Sequence, residues 1–139
     1  MADWAFVALG SNLGDRSAHL AFARERLAAL PETALVAASA IEETAPLGPV
    51  PQGPYLNQMV LLSTELPPRE LLEACAAIER SAGRVRAVRW GPRTLDLDLV
   101  RYDDQAITEP DLVVPHPELP RRPFWQRELT ELMQHAEPR

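Results

Sequence analysis

Two aspartates, Asp96 and Asp98, lie in a run whose alternate positions are leucines. This alternation is typical of a half-buried strand, so both carboxylates are expected on one face, roughly 6.5 Å apart along the backbone. Two like charges that close repel each other unless a positive charge lies between them. A hard cation such as Mg²⁺ suits this gap and usually brings phosphate oxygens with it. The alternative is a solvated strand face with two acidic residues, because D-x-D is a weak motif by itself.

The segment around these aspartates is rich in arginine, and Trp90, Gly91 and Pro92 restrict the turn within it. Planar guanidinium groups match phosphate oxygens in two-point contacts. Carboxylates that can bind a metal next to such a cluster predict a polyphosphate site. The arginines are Arg80, Arg84, Arg86, Arg89, Arg93 and Arg101.

The run RVRAVRWGPRTLDLDL at residues 84–99 resembles the signature of the 6-hydroxymethyl-7,8-dihydropterin pyrophosphokinase family of folate biosynthesis. Four further motifs follow the order and approximate spacing of that family. They are ALGSNLGDR at residues 8–16, TAPLG at 44–48, YLN at 55–57 and VPHP at 114–117. The resemblance therefore covers nearly the whole chain up to Phe124, and the combined pattern is highly specific.

This resemblance implies transfer of pyrophosphate from ATP to the hydroxymethyl group of the pterin, with AMP leaving. It implies two Mg²⁺ ions held by Asp96 and Asp98, which count with Arg84 and Arg93 as the catalytic residues. The two arginines would clamp the triphosphate, since positioning and cationic stabilisation dominate phosphoryl-transfer catalysis. We expect ATP and the pterin as small-molecule substrates.

The resemblance also assigns substrate contacts, with Tyr55 and Phe124 on the two sides of the pterin ring. Asparagine offers both a donor and an acceptor to the amide-like edge of a pterin. Without the resemblance, Tyr55 could be a half-buried aromatic, Glu79 a solvated helix carboxylate and His116 a packed side chain. The implied ATP contacts are Glu79, Arg84, Arg89, Trp90, Arg93, His116 and Arg122. The implied pterin contacts are Gly10, Thr44, Leu47, Tyr55, Asn57 and Phe124.

Hydrophobic patterning predicts the elements that hold these residues. We expect strands over residues 4–9, 35–41, 56–64 and around the aspartates, with a short strand at Ile107. Helices are expected from the Asp15 region to about Pro31, from Pro67 to Gly83, and over residues 128–135. Residues 113–117 are expected as a rigid loop. The proline-rich residues 46–54 and the arginine-rich residues 84–90 are expected as lids.

Residues 1–139 are expected to form one domain of the α+β class. Two β-α-β units predict helices on one face of a mainly antiparallel sheet. The resemblance implies a ferredoxin-like fold with long active-site loops, which agrees.

Composition excludes several classes of protein. The net charge of −6 argues against nonspecific binding to nucleic acid or acidic membranes. All 14 basic residues are arginine, so a P-loop lysine and Schiff-base chemistry are excluded. No run of apolar residues reaches membrane-spanning length and no leader opens the chain, so we expect a cytoplasmic protein. We also expect a monomer. Cys75 is expected as a small buried hydrophobic residue.

Three other functions are compatible with parts of the sequence. D-x-D also occurs in sugar-nucleotide glycosyltransferases, although the chain is short and lacks a nucleotide-binding α/β domain. A ferredoxin-like domain could bind RNA, but that function needs a basic surface with aromatic platforms. A non-catalytic homologue kept for interaction is the third alternative, and the intact arginines, aspartates and Asn57 argue against it.

The chain also departs from the family in three places. The loop over residues 84–90 is one residue shorter than in some members, which affects the division of roles between Arg84 and Arg86. Glu42 and Glu43 precede Thr44 where many members carry an aromatic or basic residue, so we expect a different pocket rim. Residues 125–128 lack the usual apolar-proline run, so C-terminal packing is expected to differ.

Overall fold

The structure is a computed structural model that describes residues 2–46, 49, 51–83 and 94–136. Its central strand, β1 (Asp3–Ser11), is buried along most of its length, as its continuous apolar sequence predicts. The elements that follow are α1 (Arg16–Ala28), β2 (Thr33–Ala38), β3 (Glu42–Thr44), β4 (Tyr55–Thr64), α2 (Pro68–Ser81) and β5 (Asp96–Tyr102). The last elements are β6 (Ile107–Glu109), β7 (Leu112–Val114), a 3₁₀ turn (Leu119–Arg121) and α3 (Pro123–Met133).

The main sheet has five strands in the described part of the chain, in the order β2-β4-β1-β5, with β3 also paired to β4. Every pairing among these strands is antiparallel. The succession β1-α1-β2-β4-α2-β5 is the βαββαβ arrangement of ferredoxin-like proteins. The fold is therefore α+β and ferredoxin-like, as the sequence predicts, with β6 and β7 forming a separate hairpin.

Alternate residues of β1 enter two different hydrophobic clusters. Val7 and Leu9 pack with α1 and α2, whereas Phe6 and Ala8 pack with Trp125 of α3. Since successive strand residues point to opposite faces, α3 lies on the face opposite α1 and α2. The sequence predicts all helices on one face, so this placement of α3 differs from expectation.

Local signals explain where α1 and α2 begin and where α2 ends. The Asp15 side chain accepts the N–H of Ala18 at 3.0 Å and caps α1. Pro68 occupies the first turn of α2, where its missing N–H is tolerated. Gly83 follows α2 with a φ of +78°, the left-handed conformation that commonly ends a helix. Cys75 is buried in α2, as predicted.

Several predicted boundaries differ from the structure; the helix expected to reach about Pro31, for example, ends at Ala28. The strand expected to reach Ile41 ends at Ala38, because the buried Ser39 bonds the N–H of Met59 through its hydroxyl at 2.9 Å. The expected loop at residues 113–117 begins inside β7, since Val114 pairs with Ile107. The last helix begins at Pro123, with proline in its first turn, rather than at Glu128. None of the helices in the described residues is long and apolar enough to cross a membrane.

Candidate active site

The two aspartates of β5 lie next to the end of β1. Asp96 is paired with Gly10 and Asp98 with Ala8, and the intervening leucine is buried. Directly paired residues of antiparallel strands point to the same face, so both carboxylates share the face of Gly10 and Ala8. Both side chains are partly exposed. The face-sharing predicted from the leucine alternation is confirmed.

Glu79 of α2 supports the strand that carries the aspartates. Its side chain is buried, and Oε2 accepts the backbone N–H of Leu97 at 2.7 Å. Leu97 lies between Asp96 and Asp98, on the last strand of the sheet order. The structure therefore places Glu79 on the backbone of the aspartate strand, a contact that the sequence does not predict.

His116 faces Asp98 from the segment after β7. The backbone N–H of His116 donates to the carbonyl of Val100 at 2.8 Å, and the ring Nδ1 accepts the backbone N–H of Glu118 at 3.0 Å. With Nδ1 accepting, the neutral ring carries its proton on Nε2. Nε2 lies 3.6 Å from Asp98 Oδ1. The fold thus brings a predicted nucleotide contact to a predicted metal ligand.

Trp125 links the two predicted ATP contacts of the C-terminal region. His116 meets its indole edge-on at a centroid distance of 4.9 Å, and Arg122 Cζ lies 4.3 Å from the ring centroid. Phe124 is partly buried and meets the same indole edge-on at 6.4 Å. Within the described residues, Arg122 Nε is buried without a hydrogen-bond partner. Trp125 is not among the site residues predicted from the sequence, although an aromatic pair directly after Pro123 was the available signal.

The predicted pterin residues that the structure describes on β1, β3 and β4 lie together. Thr44 is paired with Tyr55 across β3 and β4, and Asn57 is paired with Gly10 across β4 and β1. Asn57 Nδ2 donates to Thr44 Oγ1 at 2.6 Å. A Cβ atom at Gly10 would lie 3.4 Å from both Asn57 Oδ1 and the Tyr55 ring. Glycine at this position keeps the gap between the amide and the ring open.

The end of the proline-rich loop is bonded to the segment after β1. Asn12 Nδ2 donates to Gln52 Oε1 at 2.6 Å. Arg16 donates to the carbonyl of Pro54 at 3.0 Å and to the carboxylate of Glu43 at 3.1 Å. The contacts of Asn12 and Arg16 with the loop were not predicted, because nothing local in the sequence links residues about 40 positions apart.

Several sequence-based assignments lie outside the described residues, so they stay predictions. In the described part of the chain, no group of three or more His, Cys, Asp or Glu side chains is arranged to hold a metal ion. Two carboxylates can suffice for a cation such as Mg²⁺, which commonly keeps phosphate oxygens and water among its ligands. The assigned residues that lie outside the described part of the chain are Leu47, Arg84, Arg86, Arg89, Trp90 and Arg93.

The charge of this region affects the thiol beneath it. Cys75 is 1% exposed, and burial raises its pKa to about 12. The negative charges of Glu79 and Asp98 contribute to this rise, because a thiolate near them would add another negative charge. The cysteine is therefore structural.

Comparison with known proteins assigns the chain to a family. A model of the 7,8-dihydro-6-hydroxymethylpterin-pyrophosphokinase family matches residues 6–134. The chain is 44% identical over 128 residues to a 2-amino-4-hydroxy-6-hydroxymethyldihydropteridine pyrophosphokinase of Methylorubrum extorquens, covering 92% of the chain and 81% of that protein. It is 43% identical over 140 residues to the protein of the same name in Bacillus subtilis, covering 99% and 82%. The chain therefore belongs to the 7,8-dihydro-6-hydroxymethylpterin-pyrophosphokinase family.

Proposed function

We propose that this protein transfers pyrophosphate from ATP to the hydroxymethyl group of 6-hydroxymethyl-7,8-dihydropterin at the sheet end that carries Asp96 and Asp98. Membership of the family makes the chain a pyrophosphokinase of folate biosynthesis. The products are AMP and the pterin diphosphate. The shared face of the two aspartates is the observation that carries the location of the reaction.

Asp96 and Asp98 would hold two Mg²⁺ ions. Their donor set fits this metal, because both are partly exposed oxygen ligands on one face. When bound, the metal supplies positive charge to the phosphate oxygens. Glu79 would keep the aspartate strand in place through the Leu97 N–H.

The nucleotide would lie on the side of His116 and Arg122. His116 Nε2 and the Arg122 guanidinium both flank Trp125, so a rigid indole fixes two donor groups relative to each other. Donors with fixed geometry stabilise charge that develops on a transferring group without reorganising during the reaction. Arg84, Arg89, Trp90 and Arg93 complete this side of the site in the proposal, on the basis of their sequence motif.

The pterin would bind where Thr44, Asn57 and Tyr55 meet Gly10. The Asn57 amide is held by the Thr44 hydroxyl at 2.6 Å, so its orientation is set before a ligand arrives. Tyr55 supplies a flat ring, and Phe124 of α3 would cover the opposite side of the pterin. Leu47 belongs to the same pocket in the proposal.

The proposal also covers the state of the protein. We expect residues 1–139 to act as one domain and the protein to be a monomer. We expect a cytoplasmic location, where ATP is available. Family membership argues against the glycosyltransferase and RNA-binding alternatives.

Isosteric replacement of the aspartates tests the location of the site. Asp98→Asn and Asp96→Asn keep the side-chain volume but remove the charge, so Mg²⁺-dependent AMP release should fall at least about a hundredfold. Asp104→Asn is the matched control, since Asp104 is exposed in a turn and pairs with Arg101. Thermal unfolding of each variant should stay close to that of the wild type. Wild-type turnover in either β5 variant would contradict the proposal.

A further inference from the structure

Helix α3 is attached to the connection between β2 and β3 by charged side chains. Arg127 donates to Glu42 Oε1 through Nε at 3.1 Å and Nη2 at 2.9 Å. Glu131 accepts the backbone N–H of Ala40, with Oε2 at 3.1 Å. Glu128 lies on α3 between these two anchors. Two side chains of α3, on either side of Glu128, thus bind residues 40–42.

Glu128 is the buried member of this group. It is 2% exposed, and neither of its oxygens has a hydrogen-bond donor within the described residues. Glu42 Oε2 is likewise buried without a donor there. An ionised carboxylate in this position would be strongly disfavoured. The cost of burial falls if Glu128 and Glu42 share one proton. The protonated carboxyl group then donates a hydrogen bond to the ionised one.

Burial and the charges around Glu128 and Glu42 favour a protonated Glu128. Burial, followed by the hydrogen bond and the charge of Glu42, raises the pKa of Glu128 to about 9. Arg127 opposes this shift and Glu131 adds to it. Burial also acts to raise the pKa of Glu42, but hydrogen bonds from Glu128 and Arg127 hold it below its usual value. Met59 and Leu61 of β4 pack against α3 and add no charge.

The pair lies between two walls of the proposed pterin pocket. Glu42 is two residues from Thr44 on β3, so both side chains share one strand face. Thr44 in turn bonds Asn57. On α3, Glu128 is four residues after Phe124, which places the two side chains on one face of the helix. A change at the pair would therefore reach both sides of the pocket.

We propose that Glu128 and Glu42 are positioning residues for the pterin: their buried carboxyl groups share one proton and hold the Phe124 end of α3 against the Thr44 strand. This inference rests on the proposed function, because Thr44 and Phe124 are pocket residues only under that assignment. Ionisation of Glu128 would place two negative charges side by side in a buried interface and separate α3 from β3. Pterin binding would weaken, whereas the nucleotide side and the chemical step would change less.

The test compares wild type with Glu128→Gln from about pH 6 to about pH 10. The glutamine amide keeps the volume, donates to Glu42 at every pH and cannot ionise. For the wild type we expect the pterin KM to rise about fivefold or more as Glu128 ionises near pH 9, with a smaller change in kcat and ATP KM. Glu128→Gln should lack this rise, and Glu131→Gln should keep it. Ionisation of the pterin itself affects all three proteins alike.

Two further measurements make the result decisive. Glu42→Gln removes the neighbouring charge, so Glu128 should ionise more easily and the rise in pterin KM should move to lower pH. An identical pH profile of pterin KM in wild type and Glu128→Gln would overturn the positioning role. The melting temperature tests the carboxyl pair without substrate, because wild type and Glu131→Gln should both lose stability as the pH rises from about 6 to about 9, whereas Glu128→Gln should not. Absence of pterin turnover in all of these proteins would overturn the proposed function and the positioning role with it, while the melting curves would still report on the pair.

Discussion

The buried carboxylate of Glu79 accepts the backbone N–H of Leu97 at 2.7 Å, and Leu97 separates Asp96 from Asp98. The hydrogen bond therefore acts on the backbone of the two proposed metal ligands rather than on their side chains. An edge strand presents unpaired backbone groups, and here a side chain of α2 satisfies one of them. Helix α2 is therefore joined to β5 between the two proposed metal ligands.

Removal of this acceptor should weaken the site more than its amide replacement. Glu79→Ala leaves the Leu97 N–H buried without a partner, which costs about 1–3 kcal/mol of stability. The aspartates would also be held less firmly, so the half-saturating Mg²⁺ concentration should rise. Glu79→Gln keeps an acceptor oxygen and should restore most of both properties. Thermal unfolding and Mg²⁺ titration of AMP release measure these effects, and equal loss in both variants would contradict a backbone role for Glu79.

Arg122 should contribute to ATP binding through its contact with Trp125. Lysine keeps the charge but loses the planar group that lies over the indole, so Arg122→Lys should raise the ATP KM by about fivefold to tenfold, or about 1–1.4 kcal/mol. The pterin KM should change little. Arg121→Lys is the control, because the Arg121 side chain is 79% exposed and pairs with Glu118. Similar ATP KM values for the two variants would count against the stacked guanidinium.

Tyr55 should matter for the pterin and not for the nucleotide. Tyr55→Ala removes the flat ring next to Gly10 and Asn57, and the loss of a stacking surface should raise the pterin KM at least about tenfold. Tyr55→Phe keeps the ring and should stay much closer to wild type. Steady-state kinetics with each substrate varied in turn decides the question. A parallel rise of both KM values would exclude a specific contact with the pterin.

Cys75 should not react in the native protein. With a pKa of about 12 and 1% exposure, the thiol is almost entirely protonated at neutral pH and is shielded from reagents. An aromatic disulfide reagent at about pH 8 should therefore label one thiol only after denaturant is added. Fast stoichiometric labelling without denaturant would show that α2 opens readily, and would contradict the buried position of Cys75.

Local sequence was sufficient for much of the fold. The continuous apolar run of β1 predicted a central strand, and the alternation around Asp96 predicted which residues of β5 face the core. Both predictions succeed because strand burial depends on a repeat of two residues that can be seen directly in the sequence. The family motifs, which are local as well, identified the chemistry and the class of substrate.

Long-range contacts could not be predicted in the same way. Nothing near Glu128 in the sequence indicates that it lies against Glu42, and nothing near Glu79 indicates a bond to Leu97. The position of Trp125 between His116 and Arg122 depends on α3 beginning at Pro123 and packing on the second face of the sheet.

The sequence by itself thus determined the reaction family, the strand that carries the aspartates and the set of candidate substrate contacts. Only the tertiary structure decided which buried charges meet, because the pKa of a carboxyl group depends on neighbours that the chain brings together from distant positions. It also decided which side chains position others, since helix docking fixes distances that no sequence spacing encodes.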